Sequence, residues 1–345
     1  MGKLTIKDVA KKAGVSCATV SKALSGSPEI SEATRERVIR LSAEMGYTPN
    51  ALARSMIIKR TNTIGLVVPS LQNPYMSEFT SHAEIRAREA GYNLMVCNSS
   101  YDKETERKVL TLLTGKQVDG LIIIPIGTES AEELKPVTDS LPTVFIGENL
   151  QDPNQNTVSI DNKAGTKIGT RYLYSLGHRR ILYLGYRKNS MTHQLRLSGY
   201  LEACIEYGME PMLLNSNFPR SSRQAGYMIA KHLFEKPLAC TAIFCASDAL
   251  AIGVMQAADK AGLRIPEDFS LMGFDNISFT ELPRIDLTTI DQPQKDIAGT
   301  AVDMLIAKID GRSFAEGRRI LAPKLVERSS CRMVDDPEDV TGTTL

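Results

Sequence analysis

The chain is notable first for what it lacks. No run of 18 or more apolar residues occurs anywhere in its 345 residues, so nothing in it is long enough to cross a bilayer as a helix. The first residues are polar and basic, without the apolar h-region of a secretory signal, and a cytoplasmic protein is expected. Six cysteines (Cys17, Cys97, Cys204, Cys240, Cys245, Cys331) show no CxxC spacing and sit mostly in apolar patterns, which points to buried thiols rather than disulfides or zinc. No GxGxxG follows an apolar strand, and GxxxxGK[ST] and GxSxG are both missing. The four histidines (His82, His178, His193, His232) are scattered, with no nucleophile at a recognisable spacing, so no enzyme, cofactor or metal site is expected. His178, in LGHRR before a strand, reads as a turn or surface residue.

The most informative stretch that is present runs from residue 4 to 25, LTIKDVAKKAGVSCATVSKALS. Thr5 with Asp8 three residues later has capping-box spacing, which starts a helix at Ile6, and Gly14 breaks it. Ser16 is a second N-cap. Val20 and Leu24 fall at i and i+4, so the second helix buries that edge and turns Cys17, Ala18, Ser21 and Lys22 outward. A third helix, capped by Ser31, carries Val38, Leu41 and Met45 as an apolar stripe and stops at Gly46. Two short helices around a Gly-containing turn form a helix-turn-helix, which places its second helix in a DNA major groove. The bland alternative is an ordinary αα-hairpin, and charge argues against it. Residues 1–60 hold 11 Lys/Arg against 5 Asp/Glu, whereas the whole chain is only +1. A basic head on a slightly acidic body suits phosphate contact at one end only.

In YTPNALARSMIIKR, Asn50 is a good N-cap and residues 51–58 make two helical turns with Leu52, Met56 and Ile57 on one side. Such a helix is too short to be stable alone, so it is expected to order on DNA beside a second copy of itself. The remainder alternates apolar strand-like runs with amphipathic ones. Strands read at 63–69, 92–97, 120–125, 143–146 and 158–160, with helices opening near Pro74, Lys103 and Ala131. A second series has strands at 180–184, 212–214, 242–245 and 269–273, with helices opening near Asn162, Leu195, Ser222 and Ser247. Continuous apolar strands separated by helices imply parallel sheets covered on both faces. Two such series imply two lobes, with a ligand cleft between the carboxyl ends of their strands.

The sequence resembles the lactose-repressor (LacI/GalR) and purine-repressor family of bacterial transcription regulators. The matching segments are TIKDVAKKAGVS and TVSKALSG, SEATRERV, GYTPNALARSM, TIGLVVP, NPY, GKQVDGLII, VSIDN, GHRRI, RLSGY, TAIFCASDALAIG, IPEDFSLMGFDN, LTTIDQP and LVERSS, in the family's order from residue 4 to 330. The resemblance implies an α + α/β chain with a helix-turn-helix head (1–48) and a hinge helix and linker (49–61). A two-lobed periplasmic-binding-protein-like body of parallel doubly wound sheets follows (62–334). Crossings near Asp161, Asp291 and Val326 divide that body into lobe 1 (62–160 and 292–325) and lobe 2 (162–290 and 326–334). The acidic end, 335–345, has no leucine heptads, so a disordered tail on a homodimer is expected in place of a tetramerising coiled coil.

The DNA-facing set so implied is Thr5, Ser16, Cys17, Ala18, Thr19, Ser21 and Lys22 in the head and Asn50, Ala53, Arg54 and Met56 in the hinge. Met56 stands where relatives commonly carry a leucine wedge that opens the minor groove. Arg196 and Asp275 match the family's effector-binding arginine and cleft aspartate, a fork and a carboxylate able to grip adjacent hydroxyls. Tyr75, Ser247, Asp248 and Asp161 occupy other matched strand ends, with N-capping the plain alternative for the last two. The implied partners are double-stranded operator DNA and a small effector, a sugar or related metabolite. One branch of the family uses a phosphorylated protein corepressor instead, and an exported solute-binding protein has the clamp without the basic head.

Cys17 and Ala18 are too short for bidentate base contacts, which leaves Lys22 as the main polar reader. Replacing Lys22 with Ala is expected to cost about 1–3 kcal/mol at the specific operator and much less on random DNA. A mobility-shift titration on both DNAs checks this, and equal losses would make Lys22 a phosphate contact.

Overall fold

A computed structural model describes residues 4–24, 26–47, 60–127, 134–148, 155–185, 190–214, 222–312 and 317–334. The chain separates into two compact units, Met1–Thr61 and Asn62–Leu345. Hinge positions 48–59 lie outside the described residues, as do the acidic end and most of the stretch where a helix near Ala131 is expected.

The smaller unit is three helices: α1 (Ile6–Ala13), α2 (Cys17–Leu24) and α3 (Glu32–Met45). Asp8 Oδ2 accepts from the Thr5 backbone N–H (2.9 Å) and hydroxyl (2.7 Å), fixing the start of α1, and Gly14 ends it in the left-handed conformation at φ 65°. Ser16 Oγ accepts from Thr19 N at 3.0 Å and opens α2. At α3 the Ser31 hydroxyl bonds Thr34 Oγ1 (3.0 Å) in place of the backbone. Val9, Ala10, Ala13, Val20, Ala23 and Val38 close one small core, with Leu41, Met45 and the half-buried Cys17 packed on it. Cys17 was expected to face outward; its thiol is apolar enough to join the core edge instead.

Lobe 1 of the body is a six-stranded parallel sheet in the order β11-β5-β4-β3-β1-β2. Its strands are β1 (Thr63–Val68), β2 (Asn93–Asn98), β3 (Gly120–Ile123), β4 (Thr143–Ile146), β5 (Thr157–Ile160) and β11 (Arg318–Leu321). The helices between them are α4 (Pro74–Glu89), α5 (Lys103–Gly115) and the single turn α6 (Lys135–Thr138). Lobe 2 has β6 (Ile181–Leu184), β7 (Met212–Leu214), β8 (Ala242–Cys245) and β9 (Ser270–Met272), all parallel in the order β7-β6-β8-β9. Its helices are α7 (Asn162–Ser175), α8 (Met191–Tyr207), α9 (Arg223–Leu233) and α10 (Asp248–Ala261). Helix α8 begins one turn before the expected Leu195, because Ser190 caps it at His193 N.

Central strands such as β1 and β8 are almost wholly buried, which is why TIGLVV and AIFC read as unbroken apolar runs. Helices α9 and α10 touch backbone to backbone through Gly226 and Gly253. A Cβ on either would come within 2.1 Å of a carbonyl oxygen of the other helix, so the crossing admits no side chain there.

Three strands escaped the sequence reading. β10 (Thr289–Asp291) and β12 (Lys324–Val326) pair antiparallel, Ile290 against Leu325, and β11 joins the edge of the first sheet. All three lie where the chain passes between lobes: after β5, after β10 and between β11 and β12. They are three or four residues long, and each pairs with a segment far away in the sequence, so no local pattern marks it. Helix α11 (Gln294–Ile309) buries Ile297, Ala298, Ala301, Val302 and Leu305 in the first lobe's core, and Asp303 Oδ1 binds Arg86 Nε of α4 at 2.8 Å.

His178 is not at the surface. It is 1% exposed, with Nδ1 2.8 Å from Thr241 Oγ1 and Nε2 2.9 Å from Ser270 Oγ. The turn carrying it is half-buried, and the ring points inward and ties two strand starts together. Burial holds its imidazole well below the usual range, at about 4 against 6.5. A depressed folded pKa means that the unfolded chain takes the proton first, so stability is lost as pH falls from about 6.5 toward 4. The loss expected over this window is about 2–3 kcal/mol. Urea unfolding at neutral pH and near the acid end of the window checks this, and His178→Gln should remove that part of the acid sensitivity.

Candidate functional site

In the head, α2 presents Ala18 and Lys22 as exposed side chains, with Thr19 and Ser21 half-buried beside them. Lys22 Nζ pairs with Glu29, both about half-exposed or more. A surface pair of this kind is worth less than about 1 kcal/mol, so the ammonium is readily exchanged for a base acceptor. Thr5 and Ser16 spend their hydroxyls on caps, the Ser16 hydroxyl also meeting Thr19 Oγ1 at 2.9 Å. Arg35 belongs to the scaffold. Its Nη2 donates to the carbonyls of Ser27 (3.0 Å) and Ile30 (3.4 Å), holding the loop behind α2. Asn50, Ala53, Arg54 and Met56 lie outside the described residues.

In the body, the carboxyl ends of both sheets face a cavity of about 160 Å³, room for on the order of ten water-sized groups. At its base lies Arg196, on α8 and 4% exposed. Its Nε donates to Asn162 Oδ1 (2.9 Å), Nη1 donates to the Ala246 carbonyl and to Asp275 Oδ1 (3.3 Å), and the guanidinium carbon sits 3.6 Å from the centre of the Phe274 ring. Asp275 Oδ1 also accepts from Gln292 Nε2 (2.6 Å), and Gln292 Oε1 accepts from Tyr75 OH (3.3 Å). One relay thus runs from Tyr75 in lobe 1 through Gln292 on the crossing strand to Asp275 and Arg196 in lobe 2. Among the described residues the side-chain bonds of the pair are made by Arg196 Nε and Nη1 and by Asp275 Oδ1, and the Asp248 backbone N–H adds a further bond to the Asp275 carboxylate. A donor group beside an acceptor is what adjacent hydroxyls require. Burial pushes the Asp275 carboxyl above the ordinary range, while Arg196 and Gln292 pull against it. Its φ of 130° is a strained backbone for any residue with a Cβ, of the kind that collects at functional sites.

Of the six expected effector residues, Tyr75, Arg196, Ser247 and Asp275 line the cavity. Asp161 and Asp248 do not. Asp161 Oδ1 accepts from Ala164 N at 2.8 Å and caps α7, while its neighbour Asn162 takes the place at Arg196. Asp248 is fully buried beneath the wall. Its Oδ2 accepts from Ile277 N (2.9 Å) and Oδ1 from the Thr289 hydroxyl (2.6 Å). Burial, then the nearby Asp275 charge, pushes its carboxyl up. Ser247 is the N-cap of α10, accepting from Leu250 N at 3.3 Å, and it reaches the cavity as well.

Sequence reasoning missed Asn162, Gln292, Ser159, Glu148 and His193, all on the cavity wall. Asn162 and Gln292 sit one residue beyond positions that were singled out, in VSIDN and LTTIDQ, and that adjacency was the available signal. A second link between the lobes lies beside the cleft. Glu78 Oε1 on α4 accepts from Ser278 N (3.0 Å) and Oγ (2.7 Å), and its Oε2 accepts from Gln294 (3.2 Å).

Comparison with known proteins places this geometry. Residues 5–50 match the family described as bacterial regulatory proteins, lacI family, and residues 170–331 match a periplasmic binding protein-like domain. The HTH-type transcriptional repressor CytR of Escherichia coli (strain K12) is 32% identical over 331 residues, covering 95% of this chain and 96% of that protein. The chain belongs to the lacI family. The ribose operon repressor of the same organism is 32% identical over 330 residues, covering 94% and 99%. The solved lac repressor dimer bound to operator and the anti-inducer ONPF superposes with a TM-score of 0.86 at 28% identity, covering 96% of this chain and all of that one. As a lacI-family member the protein is a DNA-binding transcription regulator and not an enzyme. No described helix is long and apolar enough to cross a membrane.

The reassignment of Asp248 is measurable. Asp248→Asn puts an amide N–H against one of two buried donors, and stability is expected to fall by about 1–3 kcal/mol. Urea unfolding reads that loss, and ligand titration of the same variant should show an unchanged effector affinity. A stable variant with weakened effector binding would return Asp248 to the site.

Proposed function

We propose that the protein is a repressor that binds a pseudo-palindromic operator as a homodimer, and that a small hydroxylated metabolite held between its lobes controls the binding. One helix-turn-helix makes too few contacts for specific affinity, so two heads joined by the bodies are needed. Partly exposed apolar side chains on the body, among them Leu71, Ile85, Phe279 and Leu282, support a contact between copies. The site of action is the chromosome, hence the cytoplasm.

The observation that carries the effector reading is the buried Arg196–Asp275 pair, both members of which line the base of the cleft. A ligand there meets groups from both lobes, so it changes the balance between lobe arrangements by its differential contacts. The Tyr75–Gln292 and Glu78–Ser278 bonds are the contacts such a change remakes. Segment 49–61 then carries the change to DNA. A coupling of about 1–3 kcal/mol alters operator affinity roughly 5–150-fold.

Arg196→Ala tests this reading. A thermal-shift screen of sugars and nucleosides identifies a ligand of the unmodified chain, and operator affinity is then measured with and without it. The variant is expected to lose at least about tenfold in ligand affinity, since a hydrogen bond to a charged group is worth about 1.5–3 kcal/mol, while its ligand-free operator binding persists. An unchanged ligand titration would remove Arg196 from the site.

A further inference from the structure

Two groups on the lobe 1 wall are not used by the Arg196 relay. Ser159, on β5, is 3% exposed, and among the described residues its hydroxyl has no hydrogen-bond partner. Leaving a hydroxyl so buried and unpaired costs about 1–3 kcal/mol, a cost that a ligand atom at the wall removes. Glu148, just past the end of β4, is half-buried on the same wall with no partner among the described residues. Its burial outweighs the pull of Arg318 and holds the carboxyl above its ordinary range, so a donor brought to it is stabilising.

The charges lining the cavity are Arg196, Asp275 and Glu148. Arg196 is the only Lys or Arg among the described lining residues, and Asp275 already balances it; His193 gives its Nδ1 proton to the Gly185 carbonyl. Among the described residues the wall therefore carries one negative charge, at Glu148, that Arg318 offsets only in part. A phosphate ester adds about 1.5–2 further negative charges at neutral pH, and among the described lining residues the one guanidinium is already paired with Asp275. A hydroxyl, which donates and accepts at once, complements Glu148, Ser159, Asp275 and Arg196 alike. The cavity volume suits a monosaccharide or a nucleoside.

We propose that Glu148 and Ser159 are specificity-determining residues that make the cleft select an uncharged, hydroxyl-rich effector over its phosphate ester. This inference rests on the cleft being the effector site, and the experiment separates the two. The full chain is titrated calorimetrically with D-ribose, D-glucose, adenosine and uridine, each set beside its monophosphate ester. The best ligand is expected to be an uncharged one, its ester binding at least about tenfold more weakly, as one like charge a few ångströms away at intermediate dielectric implies. Glu148→Gln, nearly isosteric, should narrow that ratio severalfold, and Ser159→Ala should weaken the uncharged ligand while leaving the ratio unchanged. An ester bound as tightly as its parent, or a ratio that Glu148→Gln does not move, overturns the selectivity. Uncharged binding that Arg196→Ala leaves intact overturns the effector site beneath it. Binding by none of the compounds, in a chain that still grips its operator, overturns both.

Discussion

A guanidinium removed from water is the constraint around which the body is arranged. A bare cation at 4% exposure costs several kcal/mol, recovered only when its donors are matched by good geometry. Arg196 finds its partners on separate elements: Asn162 at the start of α7, the Ala246 carbonyl at the β8–α10 turn, and the Asp275 carboxylate and Phe274 ring past the end of β9. Each must be in place for the others to be useful, so this one side chain registers the carboxyl end of lobe 2. The strained backbone at Asp275 is tolerated because the charge it delivers has no substitute.

The same charge reaches the other lobe. Gln292 leaves the crossing strand and joins Asp275 to Tyr75, while Glu78 joins α4 to Ser278. These are short-range polar bonds between two otherwise independent cores, and polar bonds are remade at far lower cost than packed cores are. Each lobe has its own packed core, and the bonds between them are the weaker set. Asp248 and Asp161 serve the internal structure of lobe 2. One anchors Ile277 and Thr289 beneath the wall and the other caps α7.

In the head the balance differs. Three helices close a core of small side chains, and the groups that α2 leaves at the surface are a lysine in a weak ion pair and the short Ala18. The stability of this unit is modest, and its surface chemistry is held ready by caps and by Arg35 rather than by burial.

Much of this was legible in the residues. Capping spacing at Thr5 and Asp8, the Gly14 break and the Val20–Leu24 edge specify the head, because local hydrogen bonds and helical period are sequence-local quantities. Unbroken apolar runs specify two parallel sheets, and the family resemblance singled out Arg196 and Asp275, which the fold brings together on the cavity wall. Legibility failed wherever the answer depended on which way one residue at the end of a strand turns. Asp161 was chosen over Asn162, Ser247 and Asp248 were taken together, His178 was put at the surface, and Glu148 and Ser159 were passed over. Strand and helix periods say which residues alternate, but at a strand end the backbone leaves the period and the direction of each side chain is set by what it meets from another element. The sequence by itself therefore determined the helices, the sheets and the chemical types available at the cleft. Only the tertiary structure decided which of those groups line the cleft, because that choice is made by partners far apart in the chain competing for one buried charge.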